Sequence, residues 1–252
     1  MKRIVGMSAA LAIWLAPSSV LAGAQFSADT VQTGPQGQSI QGKTFIGDNR
    51  MRNEGAQDGK AYVQVVDNVK NVSYIIMPDQ KAYLEIPLPP VAPAGAQSKP
   101  VDPCAGLQGV TCRKLGTEAI AGRPTTKWEI SGSAGGQTRT ETRWIDDQRG
   151  DVMRVQASDG SGMEQRLLGN EQHEGRPVEK WEISIMRPGQ QPIRSLQWLD
   201  PELGIPVRQQ GPDGSVRELR NIRVGPQPND LFTVPAGFQK TQPPVQAQPA
   251  AR

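Results

Sequence analysis

The sequence Lys-Trp-Glu-Ile-Ser occupies residues 127–131 and returns unchanged at residues 180–184. In both copies Trp and Ile alternate with Lys, Glu and Ser, so one face of an extended segment would be apolar and the other polar. A period of two with one buried face is typical of strands in antiparallel sheets. The pattern therefore predicts a β-strand at each copy.

The two copies belong to a longer internal repeat with a spacing of 53 residues, or 54 after one inserted residue. Each unit also contains Asp-Gly, which is a hairpin signal between β-like runs. Each unit is predicted to contain a strand, a Gly-Arg-Pro turn, two strands that each carry a tryptophan, and further strands around Asp-Gly. The matching segments are Gly122-Arg123-Pro124 with Gly175-Arg176-Pro177, Trp144-Ile145-Asp146 with Trp198-Leu199-Asp200, and Asp159-Gly160 with Asp213-Gly214.

The rest of the chain divides by composition. Short β-like runs fill the region before residue 88, and Val72–Met77 and Ala82–Pro87 flank a polar turn as in a hairpin. No long stretch has helical periodicity, so helices should be few and short. The predicted segments are a signal peptide (1–24), an N-terminal β region (25–88), a Pro- and Gly-rich linker with a disulfide loop (89–113), a tandem-repeat β region (114–238, with units 114–166 and 167–224 and a closing strand) and a disordered tail (239–252).

The N-terminus has the pattern of an export signal. Lys2 and Arg3 precede a mostly apolar run, and cleavage after Ala22 or Ala24 fits the small residues there. A membrane span needs about 20 apolar residues, and Pro17-Ser18-Ser19 interrupts this run. We therefore expect a periplasmic or secreted bacterial protein, cleaved near residues 22–24, with no membrane span in the mature chain.

Charge and cysteine content narrow the function classes. The net charge of +3 falls to +1 without Lys2 and Arg3, and no basic run indicates nucleic-acid binding. The two cysteines, Cys104 and Cys112, favour a disulfide in an oxidising compartment over free thiols or a metal site, because the chain has a single histidine.

No pattern in the sequence predicts an enzyme, a cofactor or a metal. The Gly-x-Ser-x-Gly nucleophile motif is absent. Residues 37–44 match the phosphate-binding loop by letters, but a β-like run follows where that loop needs a helix, so we interpret the match as coincidence. His173 stands where the first unit has Ile120, which favours a packing or solvent-exposed role.

Several short segments resemble a known family. Residues 26–29, 42–52 and 74–81 are similar to bacterial envelope proteins of the domain-of-unknown-function 4412 type, and residues 231–238 resemble the last strand of the periplasmic lipoprotein-carrier (LolA/LolB-like) superfamily. The resemblance implies a curved antiparallel sheet, or half-open barrel, with an apolar concave face that in the carriers holds acyl chains. The tandem repeat and the Pro-rich linker depart from the carrier pattern.

The repeat tryptophans are the candidate ligand-binding residues. They could line an apolar cavity, with Met77, Met153 and Met186 as adaptable filler, or they could form the core of the sheet. The turn residues Arg123 and Arg176 could bind an anionic group or lie exposed in their turns. The full candidate set is Trp128, Ile130, Trp144, Trp181, Ile183 and Trp198.

Two functional hypotheses follow. The first is a periplasmic, non-enzymatic binding or carrier module for a lipid or acyl-chain ligand. The second is a structural or interaction protein of the cell envelope, with a filled sheet and edges that meet an envelope partner. An apolar cavity lined by the repeat tryptophans would favour the first, and a filled interior would favour the second.

Overall fold

The computed structural model describes residues 24–57, 59–89, 102–104, 108–134 and 137–242. Within these ranges sixteen strands form one open, curved sheet, and two 3-10 helices cover Pro78–Gln80 and Asn229–Phe232. The predicted fold class, mainly β with few short helices, is confirmed. In this part of the chain no helix is both long and apolar enough to cross a membrane. The predicted signal peptide (1–24) lies outside the described ranges apart from Ala24.

The strands account for most of the described chain. In chain order they are β1 (Phe26–Thr33), β2 (Ser39–Gly47), β3 (Arg50–Gln57), β4 (Lys60–Asp67), β5 (Val72–Met77), β6 (Ala82–Pro87), β7 (Val110–Ile120), β8 (Arg123–Ala134), β9 (Gln137–Asp146), β10 (Val152–Ala157), β11 (Gly162–His173), β12 (Arg176–Met186), β13 (Ile193–Asp200), β14 (Ile205–Gln210), β15 (Val216–Val224) and β16 (Gln239–Lys240).

The sheet consists of two antiparallel meanders placed side by side. Strands β1–β6 form one meander and β7–β15 the other, and β1 pairs with β15 in the middle of the sheet. Strand β7 is one edge, and β16 is the other edge, where it pairs with β6 in the sheet's one parallel ladder among the described strands. Consecutive strands β6 and β7 therefore lie near opposite edges.

Strands β7–β10 and β11–β14 pair in the same way, and from here on they are called the first and the second unit, with bounds that differ from the predicted 114–166 and 167–224. In β7 the register shifts at Leu115, and in β11 it shifts at Leu168. A glycine with positive φ follows each shift, Gly116 at 145° and Gly169 at 154°, a conformation that other residues rarely adopt. The same bulge thus bends the first strand of each unit.

Each unit is joined to the strands that follow it by a short ladder only. Strand β10 pairs with β11 only through residues 154–156 and 162–164, and β14 pairs with β15 only through residues 208–210 and 216–218. Side chains fill both junctions. One buried cluster joins Ile120, Trp144 and Met153 of the first unit to Trp181 of the second. The next joins Val178, Trp198, Leu203 and Val207 of the second unit to Phe26, Ala28 and Leu219 of β1 and β15.

A third cluster lies beneath the C-terminal strap (residues 225–242). Val63, Val65 and Ile76 are buried there against Phe232, which is 1% exposed. A side chain at Gly47 would place its Cβ 2.7 Å from the Phe232 ring, so glycine makes room for the strap. The strap ends in β16, which includes the first two residues of the segment for which the sequence predicts disorder. Residues 243–252 lie outside the described ranges.

Candidate functional site

The register divides the candidate tryptophans between the two faces of the sheet. Trp144 pairs with Lys127 across β8 and β9, so the next residue of β8, Trp128, points to the opposite face. Trp198 pairs with Lys180, which likewise places Trp181 on the opposite face. The structure therefore does not bring the four rings together in the wall of one cavity.

Charged side chains of its own unit surround Trp144, which is 4% exposed. Its indole Nε1 donates to Oε2 of Glu118 at 2.7 Å. The Lys127 ammonium lies 4.8 Å from the ring centroid and the Arg154 guanidinium 5.3 Å from it. Cations at this distance interact favourably with the indole face. The ring is thus satisfied by the chain itself.

Trp198 has the equivalent environment in the second unit. Its Nε1 donates to Oε2 of Glu171 at 2.6 Å, and Lys180 and Arg208 lie 5.0 and 5.2 Å from the ring centroid. The hydrogen bonds from Lys180 and Trp198 lower the pKa of the Glu171 carboxyl. This carboxylate is therefore ionised and accepting near neutral pH.

The opposite face holds the other four candidates. Trp181 is 5% exposed, and its Nε1 donates to Oε2 of Glu179 at 3.1 Å. Ile130 is buried opposite Cys112 of β7. Ile183 and Trp128 are half-buried. Most of the six candidate side chains are therefore buried in the protein and do not line an open groove.

The Gly-Arg-Pro arginines have a role that neither sequence hypothesis anticipated. The Arg123 side chain donates through Nε to Oδ2 of Asp146, and the Arg176 side chain donates to Oδ2 of Asp200. Both aspartates are buried, and the arginine side chains are only 17% and 20% exposed. Each arginine is therefore neither an exposed turn residue nor a free cation for an anionic ligand.

Asp146 also organises the turn that follows β9. Its Oδ1 accepts hydrogen bonds from the backbone N–H groups of Gln148 and Arg149, at 2.8 and 2.9 Å. Burial raises the pKa of Asp146, but the hydrogen bonds from Arg123, Arg149 and Gln148 outweigh burial, so the pKa lies below its ordinary value. The carboxylate therefore stays charged. Its hydrogen bonds connect Arg123, the first residue of β8, to the turn between β9 and β10.

The structure also shows where two other features noted in the sequence lie, the single histidine and the segment that matches the phosphate-binding loop. The ring Nε2 of His173 lies 3.1 Å from the backbone carbonyl of Leu219, where the β11–β12 turn meets β15. Gly42, inside the segment that matches the phosphate-binding loop by letters, lies within strand β2. The helix that such a loop requires is absent from residues 39–57, all of which the structure describes.

A cavity of about 500 Å³ lies where the two meanders meet. Asp29, Lys43, Glu54 and Arg220 lie at paired positions of β1, β2, β3 and β15, so their charges alternate across the sheet. The amide of Asn221 donates to Oδ2 of Asp29 at 2.7 Å. The lining of this cavity is polar and contains none of the six candidate residues.

Cys104 and Cys112 form a disulfide, with their Cα atoms 5.9 Å apart. The bond fixes the segment before β7 against the edge strand. Asp102 and the two cysteines lie close together, but both thiols are consumed by the disulfide. The structure therefore contains the disulfide, which the sequence favoured over free thiols or a metal site.

The residues that sequence reasoning missed are the polar partners of the tryptophans and the turn aspartates. Glu118 with Glu171, Lys127 with Lys180, and Arg154 with Arg208 stand at equivalent positions of the two units. A charged residue that is retained in both copies of a repeat is a signal for an internal contact. Comparing the units position by position would have identified these pairs.

Comparison with known proteins identifies the family. Residues 29–180 match the family described as a domain of unknown function, DUF4412. A search of curated proteins found no match. Among solved structures, an uncharacterized conserved protein from Thermus thermophilus shares 10% identity over 88% of this chain and 94% of that one, with a TM-score of 0.33.

Two further solved structures are similar at the same level. A LolA superfamily protein from Nitrosomonas europaea shares 10% identity over 85% of this chain and 93% of that one, with a TM-score of 0.37. A putative outer membrane lipoprotein-sorting protein domain from Vibrio parahaemolyticus shares 11% identity over 82% and 89%, with a TM-score of 0.32. The family match, in contrast, covers more than half of the 252 residues and confirms the resemblance found in the sequence: the chain belongs to the DUF4412 family.

Proposed function

We propose that this chain is an exported, non-enzymatic interaction protein of the cell envelope, with a sheet filled by its own side chains. The observation that carries the proposal is the environment of the buried tryptophans. Each indole N–H of Trp144, Trp181 and Trp198 donates to a carboxylate of the chain. Two of the rings also have a lysine and an arginine over or beside them.

An apolar ligand would have to displace these contacts to reach the rings. Displacement would strip a charge-assisted hydrogen bond from each indole and leave the carboxylate without a donor, at a cost of about 1–3 kcal/mol for each bond. It would also separate Trp144 and Trp181 from the buried cluster that joins the two units of the repeat. The tryptophans therefore favour a structural role over a ligand-binding one.

The disulfide supports the export part of the proposal. Disulfides persist in the periplasm and outside the cell, and they are rare in reducing compartments. Cys104–Cys112 closes a loop next to an edge strand, where a bond of this kind holds an exposed segment in place. This agrees with the signal peptide expected from the sequence.

The proposal is tested by purifying the full chain from the periplasm of an expressing bacterium and measuring lipid in an organic extract by mass spectrometry. A protein known to carry lipid, purified in parallel, controls for losses in extraction. We expect far less than one lipid per chain and no binding of an added fluorescent fatty acid. About one lipid per chain, retained through purification, would overturn the proposal.

One observation favours an apolar-ligand carrier as the second candidate. Val155, Met163, Ile185 and Ile193 are register partners across β10, β11, β12 and β13, and all four are half-buried. They form an apolar row on the face of the sheet that holds Ile183 and Trp181. If lipid is found, Ile185→Asp should abolish it, and Val69→Asp, in an exposed turn, should leave it unchanged.

A further inference from the structure

The repeat creates two junctions of the same design, the first between β10 and β11 and the second between β14 and β15. Each ladder has three residue pairs, and every pair of the second ladder stands 54 positions after its counterpart in the first. An ion pair crosses each ladder, Arg154–Glu164 at 3.0 Å and Arg208–Glu218 at 2.6 Å. The two ladders are alike, so the other side chains around them determine which junction opens more easily.

Apolar side chains close the second junction. Phe26, Ala28 and Leu219 of β1 and β15 share a buried cluster with Leu203, which lies in the turn between β13 and β14. All four residues are buried. The removal of apolar surface from water drives such a contact, which therefore does not depend on charge.

The first junction has an arginine where the second has this leucine. The backbone N–H of Arg149 donates to Oδ1 of Asp146 at 2.9 Å. In the same way the backbone N–H of Leu203 donates to Oδ1 of Asp200 at 3.0 Å. Arg149 and Leu203 therefore occupy the same position in equivalent turns.

The first junction also has a glutamate where the second has a phenylalanine. Glu179 of β12 pairs in register with Asn170 of β11. Phe26 of β1 pairs with Val224 of β15, which stands 54 positions after Asn170. Strands β12 and β1 therefore lie at equivalent places beyond the two junctions, with Glu179 at the position of Phe26.

A third position differs in the same direction. Gln165 and Leu219 each follow the last ladder residue of their strand, 54 positions apart. Leu219 is buried, whereas Gln165 is half-buried and donates through Nε2 to the backbone carbonyl of Val152 at 2.8 Å. Three positions of the first junction are thus polar where the second junction has a buried leucine or phenylalanine.

Arg149 and Glu179 form a clasp across the first junction. Nη1 and Nη2 of Arg149 donate to Oε2 and Oε1 of Glu179 at 2.8 and 2.9 Å, and the two side chains are 31% and 18% exposed. Oε2 of Glu179 also accepts from Nε1 of Trp181, which is the second unit's contribution to the four buried residues of the cluster at this junction. A partly exposed ion pair stabilises a contact less than the burial of large apolar side chains, because both charges lose water.

We propose that the first junction is a hinge of the sheet, at which the first unit opens away from the second and the clasp closes it again. The second junction stays closed during this motion. The open form exposes Trp181, because Trp144 and Met153, which cover it in the closed form, move away with the first unit. The inference goes beyond the proposed function, since it assigns a motion to the sheet and not a partner.

The test is amide hydrogen exchange of the full chain under native conditions, followed residue by residue by nuclear magnetic resonance. Each rate is compared with the intrinsic rate of the unfolded sequence, which gives a protection factor. We expect the first ladder (154–156 with 162–164) to be about tenfold less protected than the second (208–210 with 216–218), because local opening exchanges it while the rest of the sheet stays folded.

Two variants identify the clasp as the closing contact. Glu179→Gln removes a charge-assisted pair and should lower the protection of the first ladder by a further factor of about ten, without changing the second. Arg149→Leu/Glu179→Leu makes the same positions apolar, as at the second junction, and should raise the protection of the first ladder about tenfold.

The matched control is Glu182→Gln, the same substitution on the same strand. The Glu182 side chain is 17% exposed, and its ion pair with Arg166 lies inside the second unit. This change should leave the protection of the first ladder as it is in the native chain.

Three results would overturn the inference. The first is equal protection of the two ladders in the native chain, and the second is an equal effect of Glu182→Gln and Glu179→Gln on the first ladder. The third is a uniform loss of protection across the whole sheet in Glu179→Gln, because the ion pair would then stabilise the fold and not the junction.

Discussion

Replacing Arg123 by methionine should remove one of the strongest single interactions in the first unit. The Asp146 side chain has no exposed surface, and the change would leave its carboxylate buried without a cation. Breaking a buried ion pair in this way costs about 3–5 kcal/mol. The two backbone N–H groups that also bind Asp146 remain, so we expect a loss at the lower end, about 3 kcal/mol.

The loss is measured by urea unfolding, followed by tryptophan fluorescence. With a urea m-value of about 2–3 kcal/mol/M, the unfolding midpoint should fall by roughly 1 M. The matched control is Arg113→Met, which breaks the ion pair between β7 and β8 with Glu129. The Arg113 side chain is 67% exposed, so this change should cost less than about 1 kcal/mol. Equal losses in the two variants would refute the argument that burial sets the strength of the Arg123–Asp146 pair.

Three further predictions concern the pH dependence of Asp146, the packing of the strap and the disulfide. Because the folded pKa of Asp146 is lowered, its contribution to stability is complete above its unfolded pKa of about 4 and disappears as the pH falls through the folded pKa. Urea unfolding between pH 6 and pH 2 should therefore show a steeper acid loss in the native chain than in Asp146→Asn. Phe232→Ala should lower the free energy of unfolding by about 3–5 kcal/mol by opening a cavity under the strap. Gly47→Ala should lower it by about 1–3 kcal/mol by crowding the same ring, and an unchanged melting temperature in both variants would contradict the role given to the strap. Reducing Cys104–Cys112 should cost about 2 kcal/mol, since the closed loop is short. A Cys104→Ser/Cys112→Ser variant should lose the same amount and should not respond to reductant.

The strands of the repeat could be predicted from sequence because their signal is local. Trp128 and Ile130 alternate with polar residues along β8, and the structure pairs that strand on both sides over most of its length. Asp159-Gly160 does form the β10–β11 turn, where Oδ1 of Asp159 accepts from the backbone N–H of Ser161 at 2.8 Å. The alternation of apolar and polar residues and the residues that form a turn are each set within a few positions, so both can be recognised in a single sequence.

The positions of the tryptophans relative to one another could not be predicted in the same way. Trp144 and Trp181 share a buried cluster although their strands present them on opposite faces, and β10 pairs with β11 over three residues only. Such an arrangement depends on bulges and on packing between strands that are far apart in the sequence. The burial of Asp146 could not be predicted either, because a charged residue is normally assigned to the surface.

The central β1–β15 ladder has a consequence for how the chain folds. It pairs Phe26 with Val224, so residues about 200 positions apart in the sequence must meet before the sheet is complete. Closing a loop of about 200 residues costs roughly 3 kcal/mol more entropy than closing a six-residue hairpin, and long-range pairing of this kind slows folding. A chain that crosses a membrane from its N-terminus would present β1 as an unpaired edge until nearly all of it had been delivered. Folding would therefore end at the middle of the sheet, with the last strands to arrive joining the first.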